Sequence, residues 1–411
     1  MYQYTVVATF GVLLMVSSPA LASTWYVNGA GGHNGQDCKT RATACATISH
    51  VVSLAASGDT IVIAPATYHD HLSITFDLTL AGAKAATTII AGGSRSNVIS
   101  VASGASLTLS NLTIEKGLGY TGGGGVDNSG NLTVSNSNFY LNTALSGGAI
   151  LNTGVAVISD TNFSGNSPLF SGHSANCGAI DNQSTMTIST STFYNNYDQN
   201  NFTSGGAICN GGALTVTAST FDNNSAGGNN GGYGGAIYTY AGTLVVTNST
   251  FSANAATNSG GAIYSAGGTV QISNSTFGNN PETIGGGGAL GNAGGAFTVQ
   301  NSILDNAANG GNCGGAITSA GYNLSGDASC QFSGPGDLNG VNPLLRPLAG
   351  NGGPTQTMAL SRHSPALDAG NPAGCRDFAG TLLTTDQRGL PRPGVGETTG
   401  CDLGAFESQT Y

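Results

Sequence analysis

The sequence predicts an all-β protein, a right-handed, single-stranded parallel β-helix solenoid, and three observations point there. A Gly-Gly-Ala-Ile string recurs with variations, ending at Val126, Ile150, Ile180, Ile208, Ile237, Ile263, Leu290 and Ile317, at intervals of 24 to 30 residues. Between successive copies lies a second string, first seen as Leu132-Thr-Val-Ser-Asn-Ser-Asn-Phe139, whose later versions end at Phe163, Phe193, Phe221, Phe251, Phe277 and Leu304. Apolar and polar residues alternate in these segments, the period of a strand with one buried face, and no helical pattern separates them. Repeats of this length suit a stacked coil and are too short for a propeller blade.

Each repeat then makes one turn, and each strand pairs with its counterpart one coil away, about 4.8 Å distant. The six Phe residues are expected to form an interior aromatic column. Asn142, Asn166, Asn196, Asn224, Asn254 and Asn280, each three residues after a Phe, are expected to form a ladder that satisfies turn carbonyls. The composition agrees, since 66 glycines and only 7% charged residues among 411 suit a chain of many tight turns.

Solenoid ends need covering. Residues 23–57 are expected to form an N-terminal cap, with an amphipathic helix over Ala46–Ala56 that places Ile48, Val51, Val52 and Ala55 on one side. The coils follow from 58 to 330, starting with the strand Asp59–Ile63. Residues 331–411 lose the repeat, gain Pro and Arg, and are expected to cover the other end. Residues 1–22 read as an export signal, with an apolar core at Val6–Val16 and Ala20-Leu21-Ala22 before the cleavage position. That apolar run is too short to span a bilayer, so the mature chain is expected to be secreted or surface-located with no transmembrane segment.

Eight cysteines in an exported chain favour disulfides. Proximity in sequence suggests Cys38 with Cys45, Cys313 with Cys330, and Cys375 with Cys401. Cys177 lies three positions before its repeat's Ile and Cys209 one after. That offset amounts to about 13 Å along a strand, too far for a disulfide, so these two are expected not to pair.

The GGAI and FxxN alternation is similar to the repeats of polymorphic outer-membrane proteins, within the wider pectin-lyase-like β-helix superfamily. The C-terminal stretch resembles the choice-of-anchor Q domain. That resemblance rests on Gly321–Cys330, Asn342–Thr355, Ser364-Pro-Ala-Leu-Asp-Ala-Gly370, Asp386-Gln-Arg-Gly389 and Cys401-Asp-Leu-Gly-Ala-Phe-Glu407. The resemblance implies an exported, surface-associated protein of bacterial type, with no agreed catalytic residues. The sequence shows no membrane barrel of the polymorphic outer-membrane kind and continues only four residues past Glu407, which leaves attachment to a cell open.

Charge bears on chemistry. Gly117–Leu345 contains no Lys or Arg but nine acids. A nucleic acid, or a polyuronate awaiting β-elimination, would be repelled by such a surface. Hydrolysis of a neutral polysaccharide needs only two carboxylates. Asp127 and Asp181 each follow the last residue of their repeat string and are expected to face outward, two coils and about 9.6 Å apart, near the spacing of inverting enzymes. The plainer alternative treats them as ordinary solvated acids in a column that also holds Leu151, Cys209, Tyr238, Tyr264, Gly291 and Thr318. Tyr238 and Tyr264, on adjacent coils, could form a platform for a sugar ring or simply pair across the sheet. His69 and His71, flanking Asp70, lack a third metal ligand and read as a turn. No cofactor is called for, and no ligand spacing supports calcium. The expected function is thus a non-catalytic β-helix that contacts an extracellular glycan or cell-surface component. A glycoside hydrolase and a rigid surface spacer are the alternatives.

Overall fold

A computed structural model describes residues 22–169, 177–198, 203–228, 231–282, 286–306, 310–394 and 400–409. Residues 1–21 of the expected export signal lie outside them.

Three parallel sheets run the length of the molecule, two of 12 strands and one of 10. In each central coil a three-residue strand such as Val126–Asn128 enters the third sheet. A five-residue strand such as Asn131–Ser135 follows in the first, and another short strand such as Asn138–Tyr140 in the second. The chain is a right-handed parallel β-helix with almost no helix. Leu132 and Val134 point inward while Asn131 and Thr133 are exposed, the alternation read from the sequence.

The interior matches the expected columns. Phe139, Phe163, Phe193, Phe221, Phe251 and Phe277 are fully buried and stack with centroids 4.6–4.9 Å apart. The Asn142–Asn280 ladder is continuous. Asn196, for example, donates its Nδ2 to the Phe163 carbonyl at 2.9 Å and to Asn224 Oδ1 at 3.0 Å. A second ladder joins Asn128, Asn152, Asn182 and Asn210 through Nδ2–Oδ1 bonds of 2.7, 2.8 and 2.9 Å. Its signal was an Asn two residues after the end of four successive repeat strings.

Three boundaries differ from expectation. The first sheet starts earlier, because Thr24–Val27 pairs in parallel with Thr60–Ile63. The helix spans Ile48–Leu54 and buries Ile48 and Val51. Asp70 caps it, its carboxylate accepting from the Ile48 and Ser49 amides at 3.0 and 3.2 Å, which gives the His69–His71 turn a structural role. At the other end the last Gly-Gly-Ala-Ile string is out of register. Cys313–Gly314 takes the third-sheet position beside Leu290 and Gly291, and Thr318 pairs with Thr298 in the first sheet. The final coil is shorter, so Ile317 and Thr318 leave the column assigned to them.

The C-terminal region extends the coil stack by one strand, Leu338–Asn339. Phe332 packs onto the end of the core, and beyond Asn339 the chain runs back along the flank. It meets four successive coils: Thr355 bonds to Ala218, Gln387 to Thr220 and Thr250, Ala405 to Thr276, and Gly404 to Asn301. Buried ion pairs, Arg388–Asp386 at 2.6 Å and Arg392–Glu407 at 3.1 Å, hold the segment together. Removing one partner of such a pair strands the other charge. The Asp386–Gly389 and Cys401–Glu407 motifs are therefore the surfaces that grip the solenoid.

Candidate functional site

Register places Asp127, Leu151, Asp181, Cys209, Tyr238, Tyr264 and Gly291 in one outward column of the third sheet. The column has two different ends.

At the N-terminal end, Asp127 stands beside Ser100 and lines a cleft of about 270 Å³ with Arg95, Asn97 and Tyr120. Burial raises the pKa of its carboxyl. Arg95 corrects the charge argument. The cation-free stretch of sequence is real, but the preceding coil supplies a guanidinium to the same cleft, and sequence distance concealed it.

Asp181 is not an ordinary solvated acid. It is 5% exposed. Its Oδ2 accepts from Gln183 Nε2 at 2.8 Å, while Oδ1 has no partner among the described residues. Burial pushes its pKa up, and the Gln183 bond pulls the other way.

Beside Asp181 lies a second correction, because Cys177 and Cys209 are bonded, with Cα atoms 5.5 Å apart. The expectation assumed an extended chain before Ile180. In this fold the residue three before the strand doubles back over it. Gly147 and Gly205, which hold that position in neighbouring coils, have φ of 64° and 69°. A Cβ on either would run into the carbonyl of the Ile three residues later. Cys177 thus sits over its own strand, one coil spacing from Cys209. The other pairs, Cys38–Cys45, Cys313–Cys330 and Cys375–Cys401, are also bonded.

At the C-terminal end the column becomes aromatic. Tyr238 and Tyr264 stack with centroids 6.0 Å apart and planes 6° apart. Two further rings, which sequence reasoning missed, join them: Tyr233 lies 4.6 Å from Tyr264, and Tyr240 lies 6.1 Å from Tyr238. Tyr238-Thr239-Tyr240, with its alternation, was the available signal for Tyr240. Glycines make room, since a Cβ at Gly291 would meet the Tyr264 ring and one at Gly211 the Tyr240 ring. Burial raises the phenol pKa values of Tyr238, Tyr240 and Tyr264. The group offers apolar ring faces edged by hydroxyls, suited to stacking against a sugar.

No protein-family model matches the chain, and no curated protein matches it. Among solved structures it is similar to pectate lyase Pel9A, with a TM-score of 0.44 and 14% identity over 94% of this chain and 97% of that one. It is also similar to a rhamnogalacturonan lyase, with a TM-score of 0.36 and 12% identity over 72% and 84%. The pectin methylesterase from Aspergillus niger gives a TM-score of 0.29 and 14% identity over 67% and 87%. The likeness is one of fold alone.

Among the described residues no helix is long and apolar enough to cross a membrane.

Proposed function

We propose that the protein is an exported, non-catalytic β-helix of the bacterial cell surface or extracellular space that holds a glycan against the tyrosines of its third sheet. The observation that carries this reading is the four-ring group of Tyr233, Tyr238, Tyr240 and Tyr264, left on the outer face of a rigid scaffold. Four disulfides support an oxidising, extracytoplasmic location. The likeness of its repeats and C-terminal motifs to polymorphic outer-membrane and choice-of-anchor Q proteins supports a surface setting. The test is binding of the purified protein to a polysaccharide panel. The double variant Tyr238→Ala/Tyr264→Ala should weaken binding by about tenfold or more, from the ~0.5–1.5 kcal/mol that each aromatic contact contributes. Unchanged binding removes the platform. Failure of the wild type to bind any member favours the spacer reading.

One observation favours a second reading, hydrolysis of a neutral polysaccharide: burial raises the pKa of both Asp127 and Asp181, as a general acid requires. Leu151 stands between them in the column, so a sugar would have to bridge it. Release of reducing ends, abolished by Asp127→Asn or Asp181→Asn, would establish this reading over the first.

A further inference from the structure

Asp181 and Gln183 lie one coil from Gly211, over which the Tyr240 ring is laid, and we propose that this corner of the third sheet takes the ammonium group of an amine-bearing sugar. The inference rests on the glycan-binding reading and specifies its ligand as a cationic glycan.

Three features carry it. Asp181 is 5% exposed and its Oδ1 has no hydrogen-bond partner among the described residues, an arrangement that costs free energy unless something donates to it. Among the described residues its other oxygen accepts from the exposed Gln183 side chain at 2.8 Å, a side chain that a ligand would displace. The second feature is the aromatic wall. Tyr240 follows Tyr238 by two residues, and its ring lies across Gly211, whose backbone amide in turn bonds to the Asn182 carbonyl, next to Asp181.

The third feature is charge. The sequence from Gly117 to Leu345 has no Lys or Arg, so these coils supply no cation to an ionised Asp181. Arg95 belongs to the cleft at the other end of the column. A carboxylate and a tyrosine face together favour a cation over a neutral hydroxyl, through a charge-assisted hydrogen bond and a cation–π contact. An oligomer of such sugars fits because one sugar residue can stack on Tyr238 and Tyr264 while a neighbouring one, two coils nearer Asp181, brings its ammonium to the carboxylate.

The experiment compares a glucosamine hexamer with its N-acetylated counterpart by calorimetry at neutral pH, using the full protein. The two ligands share one backbone and differ at the nitrogen, an ammonium in one and a neutral acetamide in the other, so the Asp181→Asn comparison isolates the charge. The glucosamine hexamer should bind at least about tenfold more tightly, as the loss of one charge-assisted contact implies. Asp181→Asn should bring the two affinities together, and Tyr240→Ala, at an exposed position that leaves the coil intact, should narrow the gap as well. Equal affinities on the wild type would overturn the amine site while leaving tyrosine-dependent glycan binding standing. Binding of neither hexamer would overturn the amine site, and the panel then decides the broader reading. A preference that persists in Asp181→Asn, with the variant folded, would also sink the assignment.

Discussion

Gln387 Oε1 accepts a 2.6 Å hydrogen bond from Thr250 Oγ1, joining residues 137 apart in sequence. The same side chain donates through Nε2 to Thr220 Oγ1 on the preceding coil and to Thr355 Oγ1, each at 2.9 Å. One carboxamide thus spans two coils and the returning C-terminal segment. Gln387→Ala should leave the buried Thr250 hydroxyl without its acceptor, while Thr220 and Thr355 keep theirs in Gln356 and Ala218, and destabilise the protein by about 1–3 kcal/mol. Denaturant unfolding would show it as a lowered midpoint, and an unchanged midpoint would mean that the clamp contributes little.

Asn196 is the middle rung of the inner ladder. It accepts from the Asn166 amide at 3.1 Å and donates to Phe163 and Asn224. Asn196→Ala removes those partners inside a site sealed from water, so a loss of about 2–5 kcal/mol is expected. Thermal unfolding of the variant against Asn162→Ala, an exposed Asn on the preceding coil, separates ladder from surface effects.

The Cys177–Cys209 bond closes a separation of 32 residues. Loop closure alone gives about 3–4 kcal/mol for a span of that size. The double variant Cys177→Ala/Cys209→Ala should lose that much stability in oxidising buffer. In reducing buffer the gap to wild type should close. If the variant is as stable as the oxidised wild type, the bond does not tie the two coils together.

Asp181 should impose a pH dependence of definite sign. Burial raises its folded-state pKa above the unfolded value. Its contribution to stability is therefore fully present below the unfolded pKa, near 4, and is lost as pH rises through the folded value. Asp181→Asn, which stays neutral, should be more stable than wild type at pH 7.5, with the difference shrinking towards pH 4. A difference that grows on acidification would show that the carboxylate is stabilised by a partner.

The coil itself was legible because a solenoid repeats its physics. Phe193 and Asn196 occupy the same environment as their equivalents one coil away, so periodicity alone located core and ladder. Asp127, Asp181, Tyr238 and Tyr264 were placed in one column by the same counting. What counting missed depends on where the chain leaves the strand. Cys177 was measured as if extended, although its position folds back over the strand. Arg95 reaches the outer face from a turn between strands and Tyr233 from the two-residue strand Gly232–Tyr233 outside the three main sheets, where sequence offset carries no distance. The flank position of Gln387 was hidden for a related reason, since nothing in a non-repeating segment says which coils it will meet.

That flank contact changes how the solenoid should answer to force. A stack of coils contacts only nearest neighbours, so tension applied along its axis would peel the N-terminal coils away singly, each at its own threshold. The coils around Thr220, Thr250, Thr276 and Asn301 are stitched across by a single strip of chain. They would yield as one block, giving the molecule a compliant end and a stiff end.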